Sequence, residues 1–311
     1  MSLLLILLFS YLLAGYLLFR FACFRGKDTD WSDEASVKAT SFGPYWDFIC
    51  KARSLLKELD AKTLQTTSHD GLTLKALWIP AADPKATVIL FHGYRSSFLV
   101  DFSGIIRLYH QQGFNLLLVH QRSHGASQGK YITFGVKERL DALTWIDYHN
   151  KTFGPHPLFL SGMSMGAATV SFAAGEDLPD NVRGITADCG FTSPYEILLH
   201  VATGMVGSWV KIMMPAVELW ARLLAGFGLR ECESTKTLAK AKVPVLMIHG
   251  LADDYVPSHM TQTGFDACTA EKELILVEGA GHGTSFLKDR PRVETALMAF
   301  FDRNLTSEVT Q

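Results

Sequence analysis

The 311-residue chain predicts a mostly parallel α/β sheet with an antiparallel hairpin at one edge. Three features carry that expectation. From residue 86 onward, apolar runs of strand length alternate with helix-length segments. The runs are nearly continuous in apolar residues, as strands buried on both faces are. Ahead of them, two alternating segments are joined by Ser68-His69-Asp70-Gly71, and Asp-Gly in that position is a strong hairpin signal.

The first element lies outside the sheet. Residues 3–24 carry one charge, Arg20, and are otherwise dominated by Leu, Phe and Tyr. About 20 helical residues cross a bilayer core, and the Arg20 stem, near one end, reaches the interface. A cleaved signal peptide requires a basic start and a small-x-small cleavage site. Met1-Ser2 and Phe21-Ala22-Cys23-Phe24-Arg25 supply neither. A lipoprotein signal ending at Cys23 meets Arg20 where an apolar residue belongs. Residues 1–26 are therefore expected to be a retained single-pass membrane anchor. Arg20, Arg25 and Lys27 follow the apolar run, so the positive-inside bias places the rest of the chain in the cytoplasm.

Residues 27–62 read as a linker and an amphipathic helix. The stretch 26–34 is polar, and in 44–59 the residues Tyr45, Phe48, Ile49, Leu55, Leu56 and Leu59 recur at three- and four-residue steps. Residues 63–311 are expected to be the main domain. Its hairpin pairs 63–67 with 72–79, and further strands are expected at 87–91, 115–120, 157–161, 184–189, 243–249 and 273–277. Helices are expected between them at 99–112, 134–151, 165–174 and 258–270. One connection is too long: about fifty residues separate the strands at 184–189 and 243–249, where a crossover needs far fewer. Lys211, Glu218 and Arg222 interrupt its apolar residues and Pro215 breaks the helical pattern, so no run there reaches spanning length. A helical cap at about 191–242 is expected instead, its Met205, Trp209, Met213, Met214 and Trp220 packing helices and lining an apolar acyl pocket.

Composition narrows the function. With 29 Lys+Arg against 31 Asp+Glu, a nucleic-acid partner has no electrostatic support. Five scattered cysteines, none in Cys-x-x-Cys spacing, point to neither a zinc site nor a disulfide framework. His120 and His124 flank Arg122, but no third ligand at sensible spacing accompanies them, and no metal or cofactor is expected.

The chemistry centres on Ser164. The strand-length run 157–161 leads into Gly162-Met163-Ser164-Met165-Gly166, which reads as a buried strand turning sharply into a helix. Such a turn presents one hydroxyl at the strand tip, and the two glycines keep side chains out of neighbouring backbone. A serine hydroxyl needs a base within hydrogen-bonding reach. Two downstream loops, each after an expected strand, offer partners: His249-Gly250-Leu251-Ala252-Asp253-Asp254-Tyr255-Val256-Pro257 and Gly279-Ala280-Gly281-His282-Gly283. Parallel strands present their carboxyl ends together, so both loops should reach the edge that carries Ser164. Asp188, at an earlier strand end, is a further carboxylate in range, read more simply as a structural hydrogen bonder.

Gly-Met-Ser-Met-Gly, His-Gly-x-x-Asp-x-x-Val-Pro and Gly-x-Gly-His resemble the three triad segments of the α/β-hydrolase superfamily. Gln121-Arg122-Ser123-His124-Gly125-Ala126-Ser127 and Asp188-Cys189-Gly190-Phe191-Thr192-Ser193 are similar to stretches of its bacterial carboxylesterase-like and serine-peptidase-like members with a helical cap. The resemblance covers roughly residues 60–303 and implies the α/β-hydrolase fold. It implies Ser164 as nucleophile, His282 as general base and then acid, and Asp253, rather than the adjacent Asp254, as the group that orients the imidazole. The N–H groups of Met165 and Tyr94 are the implied oxyanion donors, and His92 braces the Tyr94 loop. The expected activity is ester cleavage by a membrane-anchored serine hydrolase acting on a small ester or acyl substrate, with anchor and cap suited to a lipid-like one. Amide or peptide cleavage and acyl transfer use the same triad. A non-catalytic binding protein of this fold should have lost a triad member.

Overall fold

The computed structural model describes residues 2–56 and 58–306. In chain order the elements are α1 Ser2–Cys23, α2 Glu34–Lys38, α3 Trp46–Leu56, β1 Lys62–Thr67, β2 Thr73–Ile79, β3 Ala86–Phe91, α4 Phe98–Asp101, α5 Ser103–Gln111 and β4 Phe114–His120. There follow α6 Glu138–Phe153, β5 Leu158–Met163, α7 Met165–Ala173, β6 Val182–Asp188, α8 Pro194–Val206, α9 Met214–Trp220, α10 Ser234–Leu238, β7 Val245–Gly250, α11 His259–Ala267, β8 Lys272–Val277, α12 Ser285–Lys288 and α13 Arg290–Thr306.

The eight strands form one sheet in the order β1-β2-β4-β3-β5-β6-β7-β8. β1 pairs antiparallel with β2, and β2 antiparallel with β4, while every pairing from β4 to β8 is parallel. The expected parallel sheet with an antiparallel hairpin at one edge is present. β3, β5 and β7 are buried along their whole length. Alternate residues of β3 therefore serve two cores. Val88 and Leu90 join Phe159 and Phe301 on one face, while Ile89 and Phe91 join Trp145 and Leu160 on the other.

Two expected helices begin late for local reasons. The helix expected from 134 starts at Glu138, because Phe134 and Gly135 have φ of 53° and 93°. The Glu138 carboxylate accepts from the N–H groups of Thr133 and Gly135, which seals that helix start. The helix expected from 44 is a short 3₁₀ turn, Gly43–Tyr45, leading into α3; Lys57 and the side chain of Leu55, within the expected span, lie outside the described residues. Pro215 marks a junction: it follows the 3₁₀ segment Ser208–Met213 and sits in the first turn of α9, where a missing N–H costs nothing. Ser193 caps α8 by accepting from the Glu196 N–H.

A third core joins the N-terminal helix to the cap. Phe19, Met165, Met214, Val217 and Phe227 are buried together. Gly15 meets α9 so closely that a Cβ added there would lie 2.3 Å from the Ala216 Cβ. The Trp220 indole donates to the Leu12 carbonyl at 2.9 Å, and the Tyr11 hydroxyl donates to the Ile212 carbonyl at 3.1 Å. At the end of the helix the Cys23 carbonyl accepts from the Ile132 N–H, and just beyond it the Arg25 N–H donates to the Lys130 carbonyl. The last three turns of α1 are thus built into the domain.

Candidate active site

The turn from β5 to α7 imposes an unusual backbone on Ser164. Its φ and ψ are 55° and −114°, outside the regions a non-glycine residue ordinarily occupies. Strain of this kind costs on the order of 1–3 kcal/mol and persists where the surroundings hold it. Here a Ser164 N–H bond to the Asp188 carbonyl of 2.8 Å holds it. Both glycines are sterically obligatory. A Cβ at Gly162 would stand 2.1 Å from the Gly166 carbonyl oxygen, and one at Gly166 would stand 1.7 Å from that of Phe91.

Loops after β7 and β8 bring the partners. The His282 Nε2 lies 2.9 Å from the Ser164 Oγ, and its Nδ1 lies 2.7 Å from the Asp253 Oδ2. Asp253 is buried, and its other oxygen accepts from the N–H groups of Tyr255 at 3.0 Å and Val256 at 2.8 Å. Burial alone would push this carboxyl up, but bonds from His249 and His282, the nearby imidazole and the Val256 N–H together hold it well below the usual carboxylate range. The rival Asp254 is exposed and offers only its carbonyl, to His200. Asp188 bonds to Ser285 at 3.3 Å, and burial pushes its carboxyl up to about 6 against the pull of His249 and His282. The thiol of Cys189 lies within 4.8 Å of the donor atoms of Asp253 and His282; burial and the neighbouring carboxylates push it well up, so it fills space as a neutral group.

The loop after β3 carries a feature that local sequence did not reveal. Asp101, the last residue of α4, is buried and accepts from the Gly93 N–H and the Ser96 hydroxyl, both at 2.6 Å. It fixes the loop on either side of Tyr94 and Arg95. The Arg95 N–H is tied to the Nε2 of His124 at 2.9 Å, so this histidine serves the same loop rather than a metal. His92 accepts from the Gln121 N–H and is kept neutral by burial and by His124. Among the described residues, no acceptor takes the N–H of Tyr94 or of Met165, which heads α7. Burial pushes the Asp101 carboxyl up to about 6, against the pull of Ser96 and Gly93. A raised acid favours folding below its ordinary value and loses that contribution as pH rises through about 6. Asp101→Asn keeps the shape without the titration. It is expected to gain stability relative to wild type between about pH 4 and about pH 7, by on the order of 2–3 kcal/mol in urea melts. A pH-independent difference would contradict the raised carboxyl.

Comparison with known proteins bears on the fold. A family model described as serine aminopeptidase, S33, matches residues 82–225. The chain is similar to the uncharacterized protein YqkD of Bacillus subtilis, 28% identical over 249 residues that span 79% of this chain and 81% of that one. It is similar to the uncharacterized protein YfhR of Escherichia coli (strain K12), 22% identical over 233 residues, or 73% and 75% of the two chains. In fold it matches the Pyrococcus furiosus esterase Pf2001 with a TM-score of 0.64 at 23% identity, over 80% of this chain and 94% of that one. The chain has the α/β-hydrolase fold. A Pyrococcus horikoshii acylaminoacyl peptidase shares the fold at a TM-score of 0.60 and 16% identity, over 83% of this chain and 44% of that one. These matches support a hydrolase of esterase or peptidase type.

Two further features bear on this site. Arg122 is buried and forms paired bonds to Asp141, both at 2.6 Å, and to Asp70, at 2.9 and 3.1 Å. Burial alone would lower its pKa, but the two carboxylates more than offset it. The hairpin turn is thus bolted to α6, a role for Asp70 that a turn reading overlooks. Beside the site lies an apolar cavity of about 280 Å³. Tyr94 and Tyr255 line it, and the Tyr255 ring stands 5.0 Å from the His282 imidazole. Leu18 and Phe21 of α1 and Leu198, Val201 and Met205 of α8 also line it.

Proposed function

We propose that this protein is a membrane-anchored serine hydrolase that cleaves carboxylic esters. One observation carries the reading: the unbroken hydrogen-bond chain from Asp253 through His282 to the strained Ser164, with steps of 2.7 and 2.9 Å. The Ser164 hydroxyl attacks the ester carbonyl while the His282 Nε2 takes its proton. Asp253 holds the Nδ1–H and stabilises the imidazolium. The N–H groups of Met165 and Tyr94 receive the oxyanion, the first aided by the α7 dipole. The tetrahedral adduct collapses, and His282 returns its proton to the departing alcohol. Water, deprotonated by His282, then attacks the acyl-enzyme and releases the carboxylic acid, regenerating Ser164.

The cavity favours an ester with an apolar acyl group over an aminopeptidase substrate. An aminopeptidase needs a carboxylate to receive the substrate ammonium, and Arg95, the charged side chain on this wall, has the opposite sign. α1 attaches the protein to a membrane: the stretch Leu3–Cys23 is long and apolar enough to enter a bilayer.

The test uses full-length protein in detergent, with acetate, octanoate and palmitate esters and an aminoacyl anilide as substrates. Ester turnover is expected to exceed anilide turnover, and Ser164→Ala is expected to lower it by at least about 10⁴-fold. Ester turnover undiminished in that variant would overturn the assignment.

A further inference from the structure

α1 is too deeply docked to act as a tether. Its contacts with the cap extend from Cys23 back to Leu12 and Tyr11. Of the apolar stretch Leu3–Cys23, residues 3–10 project beyond them, roughly 12 Å of helix at 1.5 Å per residue, against a bilayer core of about 30 Å. The apolar stretch Leu3–Cys23 therefore enters a membrane along its whole length only by bringing the cap against it.

The cap surface beside α1 suits that position. Trp209, Ile212 and Leu223 are 56%, 70% and 65% exposed. They continue the exposed apolar surface of residues 3–9 across the contact between α1 and α9. A patch this apolar is a liability in water. Lys211 and the Glu218–Arg222 pair lie among these residues. Tryptophan and basic residues mixed with aliphatic ones are the composition of the headgroup boundary rather than of the acyl core. Three of the residues that line the cavity, Phe21 of α1 and Met205 and Val206 of α8, are themselves exposed apolar side chains.

We infer that α1 and the cap form a single lipid-seated unit, and that the cavity between them takes the acyl chain of a membrane-resident lipid ester directly from the bilayer. This rests on the hydrolase reading above and adds the substrate class and its route. α1 is then one wall of the acyl site as well as the anchor. The scissile ester is drawn toward Tyr94 and Tyr255 while the leaving headgroup stays at the interface.

The experiment uses full-length protein reconstituted in phosphatidylcholine–phosphatidylglycerol vesicles. Lipids brominated near the headgroup are expected to quench wild-type tryptophan fluorescence, and Trp209→Phe is expected to remove most of that quenching. Neither Trp209 nor Ile212 lines the cavity. The double variant Trp209→Glu, Ile212→Glu is therefore expected to hydrolyse a soluble acetate ester within about twofold of wild type, and to hydrolyse a long-chain lipid ester presented in vesicles at least about tenfold more slowly. Equal loss on both substrates, loss on neither, or quenching that Trp209→Phe leaves intact would overturn the inference. A wild-type protein inactive on every ester would overturn the hydrolase reading instead, while the quenching result would still decide where the cap sits.

Discussion

Asp253→Asn is expected to lower kcat by about 10³–10⁴-fold, with Asp254→Asn within about twofold of wild type. The size follows from the carboxylate's four partners. One Asp253 oxygen accepts from the Tyr255 and Val256 N–H groups, so an asparagine must turn its carbonyl oxygen that way. Its amide NH₂ then faces the His282 Nδ1, which has to become an acceptor. The remaining proton moves to Nε2, 2.9 Å from the Ser164 Oγ, and the imidazole can no longer receive the serine's proton. Asp254 has no such role, being exposed and bonded only through its carbonyl. Steady-state kinetics on a short-chain ester check the pair, and a larger loss at position 254 would transfer the assignment.

Gly166→Ala is expected to destabilise the protein by about 4 kcal/mol or more, enough to prevent soluble expression. The added Cβ would lie 1.7 Å from the Phe91 carbonyl oxygen, 2.5 Å from its carbon and 2.9 Å from the His92 carbonyl oxygen. All three are backbone atoms at the end of a fully buried strand, so none yields without disturbing the loop that carries Tyr94. Gly204→Ala provides the opposite case. Nothing lies within 4 Å of a Cβ there, and the position is inside α8, so alanine is expected to stabilise by about 0.5–1 kcal/mol. Urea midpoints of the two variants and wild type check both signs. A well-folded Gly166→Ala protein of normal stability would contradict the tight turn at Ser164.

The parallel strands were legible because burial on both faces leaves an almost unbroken apolar run, as in β3, β5 and β7. Ser164, Asp253 and His282 were legible because each sits in a short loop with glycines or prolines at fixed spacing, which a parallel sheet then collects at one edge. Long-range polar pairing left no such mark. Asp101 reaches back eight residues to Gly93, and Arg122 bridges Asp70 and Asp141 from separate elements; in the sequence each is an ordinary charge. The late start of α6 comes from two left-handed residues, Phe134 and Gly135, of which only the glycine is a local hint. The seating of α1 was hidden for a different reason. A uniformly apolar helix shows no face, so its pattern does not mark the side that docks on Ala216, where Gly15 leaves room for the close approach.

The most direct measurement is peptide mass analysis of the full-length protein after treatment with a fluorophosphonate. A single adduct on the peptide carrying Ser164, absent in His282→Ala, is the expected result. An adduct on another residue, or none on folded wild-type protein, would contradict a nucleophile activated through His282 and Asp253.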